Sequence, residues 1–346
     1  MATQVRNGSH WVYRRRVMRS TIMRVWWLRL RTIQTFNALP GNGVRTSIAA
    51  RLSLMMESMT TMTGQNLLQD VLPRWRTLAK APGLPRRTLR LPDWQADWNA
   101  GMALLARHAR NGGEPAQDPL QGHAALEHAY GWEAAAQTGS NLLLKGIDRG
   151  FAPTALQQMH ADVADLWLEH ARLLAIARDS LQQQGHDIML TASLQPRTTQ
   201  HYEYALQLLS LGVLLDAQER LPALVEQVLC FETDRLLDYL SAPALGLVEA
   251  SDEVFHPRPF ADLFAPLRDG EAFDPSLLAS YLQVQYRDFF LLAPKAQKRT
   301  RRLIGPNAWG YWAFEVAAMV VLYGGDDAAL RSCPHYPADL ADFARR

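Results

Sequence analysis

Cysteine is nearly absent from this sequence. Cys230 and Cys333 are the two in 346 residues, far apart and outside any Cys-x-x-Cys motif. That excludes a disulfide scaffold and a zinc ribbon, and it fits a reducing compartment. Alternating runs of Val, Ile and Thr are scarce, so no strand is predicted. The phosphate loop, the dinucleotide fingerprint, the nucleophile elbow and the His-Glu-x-x-His zinc motif are all missing, and with them the enzyme classes that such motifs announce. What remains is 48% hydrophobic and 20% charged, an ordinary globular composition that argues against disorder.

Acidic residues are missing from residues 1–54, which carry ten arginines and no lysine; the first acid is Glu57. The formal net charge of +2 therefore hides a split, because residues 55–346 hold 26 basic and 34 acidic residues, about −8. Arginines interrupt every apolar run of the leader, which excludes a secretory signal and a transmembrane helix. Three readings of it stay open. Met55, Met56, Met59 and Met62 crowd the point where composition becomes ordinary, which suits a natural start there. Trp11, Trp26 and Trp27 suit a basic amphipathic membrane anchor or a nucleic-acid arm. An Arg-rich, acid-free segment also suits a transit peptide.

From Gln65 onward the pattern is helical, and the predicted fold class is all-α with two helical modules. The first, 65–185, holds a short helix over Gln65–Lys80 limited by Pro73, then a Pro/Arg-rich linker over Ala81–Pro92. Asp93 caps the next helix, whose Trp94, Trp98, Met102 and Leu105 share one face. A long helix over Leu120–Asp148 and another from Pro153 to Gln184, joined by a short turn at Gly150, predict an antiparallel hairpin. Irregular sequence over Gly185–Thr199 marks the boundary. The second module, 198–346, is a multi-helix array with helices near Thr199–Asp216, Leu221–Leu240, Pro259–Leu267, Pro275–Leu292, Asn307–Tyr323 and Pro337–Arg345. Leu206–Leu215 and Tyr311–Tyr323 are apolar nearly all round and should be central core helices. The second of these spans about 20 Å at 1.5 Å per residue, too short to cross a bilayer.

Candidate chemistry is thin. His123 and Glu127 are four residues apart, but His123 and His128 do not share the face that a metal motif needs. Asp162, Asp165 and Glu169 share a helical face near His160 and His170, yet no second Glu-x-x-His exists to complete a carboxylate-bridged metal site. Both clusters read as polar helix faces, and no metal or cofactor is expected. Glu315 is the single charge in its apolar helix. Buried there, it either acts as an acid of raised pKa or holds a structural hydrogen-bond network, and the lack of a companion nucleophile or base favours the network. The run Lys295–Arg302 carries no interleaved aromatics, so helix termini and acidic loops explain it better than nucleic acid does.

The stronger signal is electrostatic. Residues 203–274 contain 14 acidic and four basic residues. Glu249, Asp252 and Glu253 fall on one predicted loop, Asp269, Glu271 and Asp274 on another, and Asp326 and Asp327 follow the Gly324-Gly325 stop. Acidic loops at one end of a helical body steer a basic partner; they also simply keep a protein soluble, and Asp326-Asp327 suits the cap of a short helix over Ala328–Ser332.

The closing third carries a pattern. Gly310-Tyr311-Trp312-Ala313-Phe314-Glu315, then Asp326-Asp327, then Tyr336-Pro337-Ala338-Asp339-Leu340 resemble the C-terminal module of PoNi-type immunity proteins of bacterial polymorphic toxin and type VI secretion systems. The Tyr202–Leu215 helix resembles the opening core helix of that module, so the resemblance covers about 198–346. His335 departs from it, standing where the family tends to have a second tyrosine. The resemblance implies an all-helical, cytoplasmic protein without catalysis, whose partner is a cognate DNase toxin, with no nucleic acid and no membrane. A general helical scaffold or adaptor is the alternative. Tyr311, Trp312, Phe314, Glu315, Tyr336, Pro337 and Asp339 are expected to define the fold, and the loop carboxylates to meet the toxin.

Overall fold

The structure, a computed structural model, describes residues 64–79, 91–111, 122–186, 192–246, 250–267, 273–282 and 312–346. All lie within the compact unit Met62–Arg346. The expectations for residues 1–54, for most of the 81–92 linker, for Lys295–Arg302, and for Glu249, Asp269, Glu271 and Tyr311 fall outside the described residues.

Among the described residues the regular structure is helical and no strand forms, so the fold class is all-α. Helix α1 spans Gly64–Leu78 and tolerates Pro73 inside it. Helix α2 spans Leu91–Asn111. It begins two residues earlier than predicted, so Asp93 lies in the first turn, where its charge still complements the helix N-terminus. The predicted face is real: Trp94, Trp98, Met102 and Leu105 are all buried. Trp94 stacks on Trp98 with centroids 5.2 Å apart, and Phe151 meets both edge-on.

Helices α3 (Gly122–Arg149) and α4 (Pro153–Gln183) form the predicted hairpin. Gly150, at φ 80°, closes α3; its N–H reaches the Ile147 carbonyl, and the Phe151 N–H reaches that of Gly146. This left-handed stop is cheap for glycine. It also drops Phe151 into the core, while Pro153 opens α4 within its first turn. The two helices run antiparallel: the Gly122 N–H at the start of α3 bonds Ser180 Oγ near the end of α4, at 2.8 Å.

Helix α5 (Thr199–Leu214) is buried along most of its length and packs on α7 (Phe314–Tyr323), which is buried from Phe314 to Val320. These are the two central helices that the sequence predicts. Helix α7 starts later than predicted, however. Trp312 and Ala313 precede it in non-helical backbone. Helix α8 spans Ala338–Ala344.

The predicted helix over Leu221–Leu240 is broken. After a short turn at Gln218–Arg220, the chain runs helically through Leu221–Ala223 and widens over Leu224–Val228, where the Leu229 N–H reaches back five residues to Leu224. Cys230 and Phe231 then take left-handed φ values of 49° and 57°, at roughly 1–2 kcal/mol each. Helix α6 (Arg235–Leu245) restarts with Asp234 as its cap, accepting from the Leu237 N–H at 3.1 Å. The predicted helix at Pro259–Leu267 is likewise reduced to short turns, Pro257–Phe260 and Ala261–Phe264.

One hydrophobic cluster extends from Leu67 of α1 to Ala341 of α8. Trp75, Trp98 and Trp167 are its largest fully buried side chains, and burying each is worth upward of about 2 kcal/mol. No helix among the described residues is long and apolar enough to cross a membrane.

Candidate functional site

The motif residues are tied to the core by hydrogen bonds that span the chain. Trp312 Nε1 donates to Asp148 Oδ1 of α3 at 2.6 Å, a bond between residues 164 apart in sequence. Both are buried, so this contact ties the start of α7 to the hairpin. Glu315, 1% exposed, accepts from Tyr281 Oη at 2.7 Å. Burial raises its pKa to about 7 against the opposing pull of that hydrogen bond. The carboxyl is thereby tied to a buried tyrosine from another segment, the kind of partner that the network reading calls for.

Asp327 was expected on the partner surface and is instead an internal hub. It is 3% exposed. Arg331 Nε donates to it at 2.7 Å, Tyr336 Oη at 2.7 Å and Arg345 Nη1 at 3.1 Å. Burial opposes its ionisation, but the hydrogen bonds from Arg331 and Tyr336 and the charges of Arg345 and Arg331 outweigh it and hold the carboxyl below its ordinary range. The Asp-Asp and Tyr-Pro-x-Asp-Leu motifs are thus halves of one bonded unit. Pro337 is buried behind Tyr336, and Asp339 is exposed in the first turn of α8.

The remaining loop carboxylates fall into two groups. Asp326 is exposed and accepts from the Ala328 N–H at 3.0 Å, in the capping role weighed for it, although the residues after it form turns and not a helix. Asp274 caps the short turn Pro275–Leu278 through the Ser276 N–H at 3.0 Å and remains exposed. The two belong together. Gly325, at φ 96°, lies so close to the 273–275 segment that a Cβ there would stand 2.6 Å from Pro275 Cδ.

Asp252 and Glu253 form the second group. Their loop is held from beneath by two buried acids of the 234–238 turn. Asp238 Oδ2 accepts the Ser251 N–H at 2.7 Å, and Asp234 Oδ2 accepts the Phe255 N–H and Tyr202 Oη, both at 3.0 Å. The Arg235 N–H bonds the Glu253 carbonyl at 2.8 Å. Glu253 itself takes a bidentate bond from Arg197 at 2.7 and 2.9 Å, and Arg197 also reaches Glu232 at 3.3 Å. The hydrogen bonds and charge of Arg197 hold the Glu253 carboxyl below its ordinary range. Asp252 is exposed beside it.

Sequence counting therefore overstates the acidic surface. Of the 14 acids in 203–274, Asp234 and Asp238 are buried. Burial also lifts Glu203 to about 8, so it is largely neutral at pH 7. The polar face of α4 is spent internally as well. Asp162 accepts from Arg74 at 2.6 Å and Trp75 Nε1 at 2.8 Å, Asp165 pairs with Arg220, and Glu169 accepts from Nε and Nη2 of Arg172. His160 and His170 are buried; desolvation lowers each to about 4, and they bond the Leu208 carbonyl and Ser193 Oγ. Among the described residues no group of three or more His, Cys, Asp or Glu side chains is placed to hold a metal. His123 stands beside His186, and His128 Nε2 accepts from Trp132.

Sequence reasoning missed Asp148, Asp234, Tyr281, Arg197 and Phe231. The Thr233-Asp234 pair ahead of an apolar run was a readable cap signal. The others are defined by contacts 34 to 164 residues away or by backbone conformation, which leave no local trace.

Comparison with known proteins bears on this architecture. Residues 62–185 match the family described as PA2201 N-terminal domain-like, and residues 232–340 match PoNe immunity proteins (PoNi), C-terminal. The crystal structure of protein PA2201 from Pseudomonas aeruginosa is similar at 55% identity and a TM-score of 0.71, over 80% of this chain and 96% of that one. The chain belongs to the PA2201 family, and its C-terminal domain is of the PoNi immunity type. No curated protein matches it. The PoNi-type match contains the whole Trp312–Glu315, Asp327 and Tyr336 framework, together with both acidic loop groups.

Proposed function

We propose that this protein is an immunity protein that binds a cognate bacterial DNase toxin, of a type VI secretion or related polymorphic toxin system, and blocks it without catalysis. The observation that carries the proposal is the PoNi-type domain over 232–340, whose motif residues are tied into the core while carboxylate-bearing loops stay at the surface. A nuclease grips phosphates through a positive face. A protein that covers that face needs carboxylates set on rigid elements, which steer the encounter and favour the right partner. The contact carboxylates we assign are Asp252, Glu253, Asp274 and Asp326, with Glu249, Asp269 and Glu271 near them in sequence. Asp327 is left out of this set because its oxygens are committed inside the fold. The protein acts in the bacterial cytoplasm, where the toxin would reach DNA.

The test is co-expression with the toxin encoded by the neighbouring gene. Cells carrying both should survive, and the two proteins should co-purify. Death at the rate seen with toxin alone would reject the proposal.

A further inference from the structure

We infer that Phe231 is the apolar anchor of the surface that grips a basic protein partner. This rests on the proposed immunity function and names its contact point. Phe231 is one of the few large hydrophobic side chains exposed in the described residues, at 42%. Its setting is built. The helical run ahead of it widens over Leu224–Val228, and such widened turns recur at functional sites. Cys230 and Phe231 then occupy consecutive left-handed conformations, which side-chain-bearing residues adopt at a cost and which cluster where a fold displays or clamps something. The turn is fastened from three sides. The Phe231 N–H bonds the Val225 carbonyl at 2.9 Å, the Glu232 N–H bonds that of Leu229 at 2.8 Å, and the Leu194 N–H bonds that of Val228 at 3.0 Å. The ring is thereby presented on a fixed backbone.

The surroundings select the partner. Glu226 is exposed one turn before Phe231, and Glu232 follows it directly. Arg197 joins Glu232 to Glu253, and through Glu253 to the exposed Asp252. Arg197 also lies 4.1 Å over the Phe255 ring, fixed in place and largely neutralised by its two carboxylates. Phe231 thus stands between Glu226 and Glu232 along the chain, on a turn that Arg197 ties to the Asp252-Glu253 loop, and the four acids form the charged rim of the proposed surface. Protein interfaces take this form, with an aromatic anchor giving affinity and a charged rim giving rate and selectivity. A basic protein surface with an apolar recess fits it. A nucleic acid does not, because the rim would repel phosphates.

The experiment uses the full chain and a catalytically inactivated form of the toxin encoded by the neighbouring gene. Phe231→Ala should weaken binding at least tenfold with an unchanged melting temperature, while Phe231→Trp should restore most of the affinity. Glu226→Lys should slow association and flatten its dependence on salt. Tyr130→Ala, at an exposed ring on α3, should change nothing. If the wild type binds and protects while both Phe231→Ala and Glu226→Lys bind as tightly and as fast, the surface is overturned and the immunity function stands. If the wild type neither binds nor protects, both fall together.

Discussion

Tyr336 Oη donates to Asp327 Oδ2 at 2.7 Å, and that bond joins two stretches of sequence that looked like separate motifs. Arg331 bridges the same aspartate to Asp342 of α8, and Arg345 closes the cluster from the chain end. The segment after α7, residues 324–346, is thereby fastened together, and its helix α8 packs on α7. A carboxylate used this way has no capacity left for a partner, although its neighbour Asp326 points to solvent one residue away.

That contrast gives the first prediction. Asp327→Ala should destabilise the fold by about 3 kcal/mol, since it strands buried donors and cations, yet leave the affinity of the folded protein unchanged. Asp326→Lys should do the reverse, slowing association and leaving the melting temperature within a degree or two. Thermal unfolding and association kinetics on the two variants check both halves.

Glu315 predicts a pH dependence. Its pKa is raised in the folded state to about 7 from an ordinary 4.5. Its contribution is therefore fully present below about pH 4.5 and is lost as pH climbs through 7, when ionisation in the core becomes necessary. Glu203, raised by burial to about 8, acts in the same direction. His160 and His170, which burial holds at about 4, act the opposite way up to about pH 6.5, so the two effects overlap in the wild type. In urea unfolding, Glu315→Gln should gain on the wild type by on the order of 3 kcal/mol between about pH 5 and 8. A slope unchanged by the variant would place the titration elsewhere.

Trp312→Phe keeps an aromatic ring but removes the donor to Asp148. The buried carboxylate then loses a hydrogen bond, and about 2 kcal/mol of stability should go with it. Hydrogen exchange should show faster opening at the start of α7 and at the end of α3, since this bond joins them.

Gly212 predicts a packing defect. A Cβ there would stand 2.6 Å from Leu221 Cδ2 and 3.5 Å from His160 Cε1. Leu221 and His160 are both fully buried. Helix propensity alone would favour Gly212→Ala by about 1 kcal/mol. Overpacking, typically 1–3 kcal/mol, should win, so the variant should melt below the wild type.

Much of the fold was legible because its signals are local. The α3–α4 hairpin follows from apolar periodicity, Gly150 and Pro153. The central helices follow from Leu206–Leu215 and the run ending at Tyr323, which lack a polar face. The Trp94, Trp98, Met102, Leu105 stripe appears in the core as spaced. The broken stretch after Leu221 was not legible. Cys230 and Phe231 take a left-handed turn without a glycine to mark it, and the helical pattern reads straight through them.

Sequence alone determined the fold class, the hairpin, the buried helices and the PoNi-type motif, since each rests on residue spacing within one segment. It also showed that the acidity lies outside the first 54 residues. Only the tertiary structure decided which acids are surface and which are skeleton. Asp234, Asp238 and Asp327 look no different in sequence from Asp252 and Asp326. What separates them is which backbone N–H groups, tyrosines and arginines the fold brings within 3 Å of each carboxylate, and those partners come from turns and helices elsewhere in the chain.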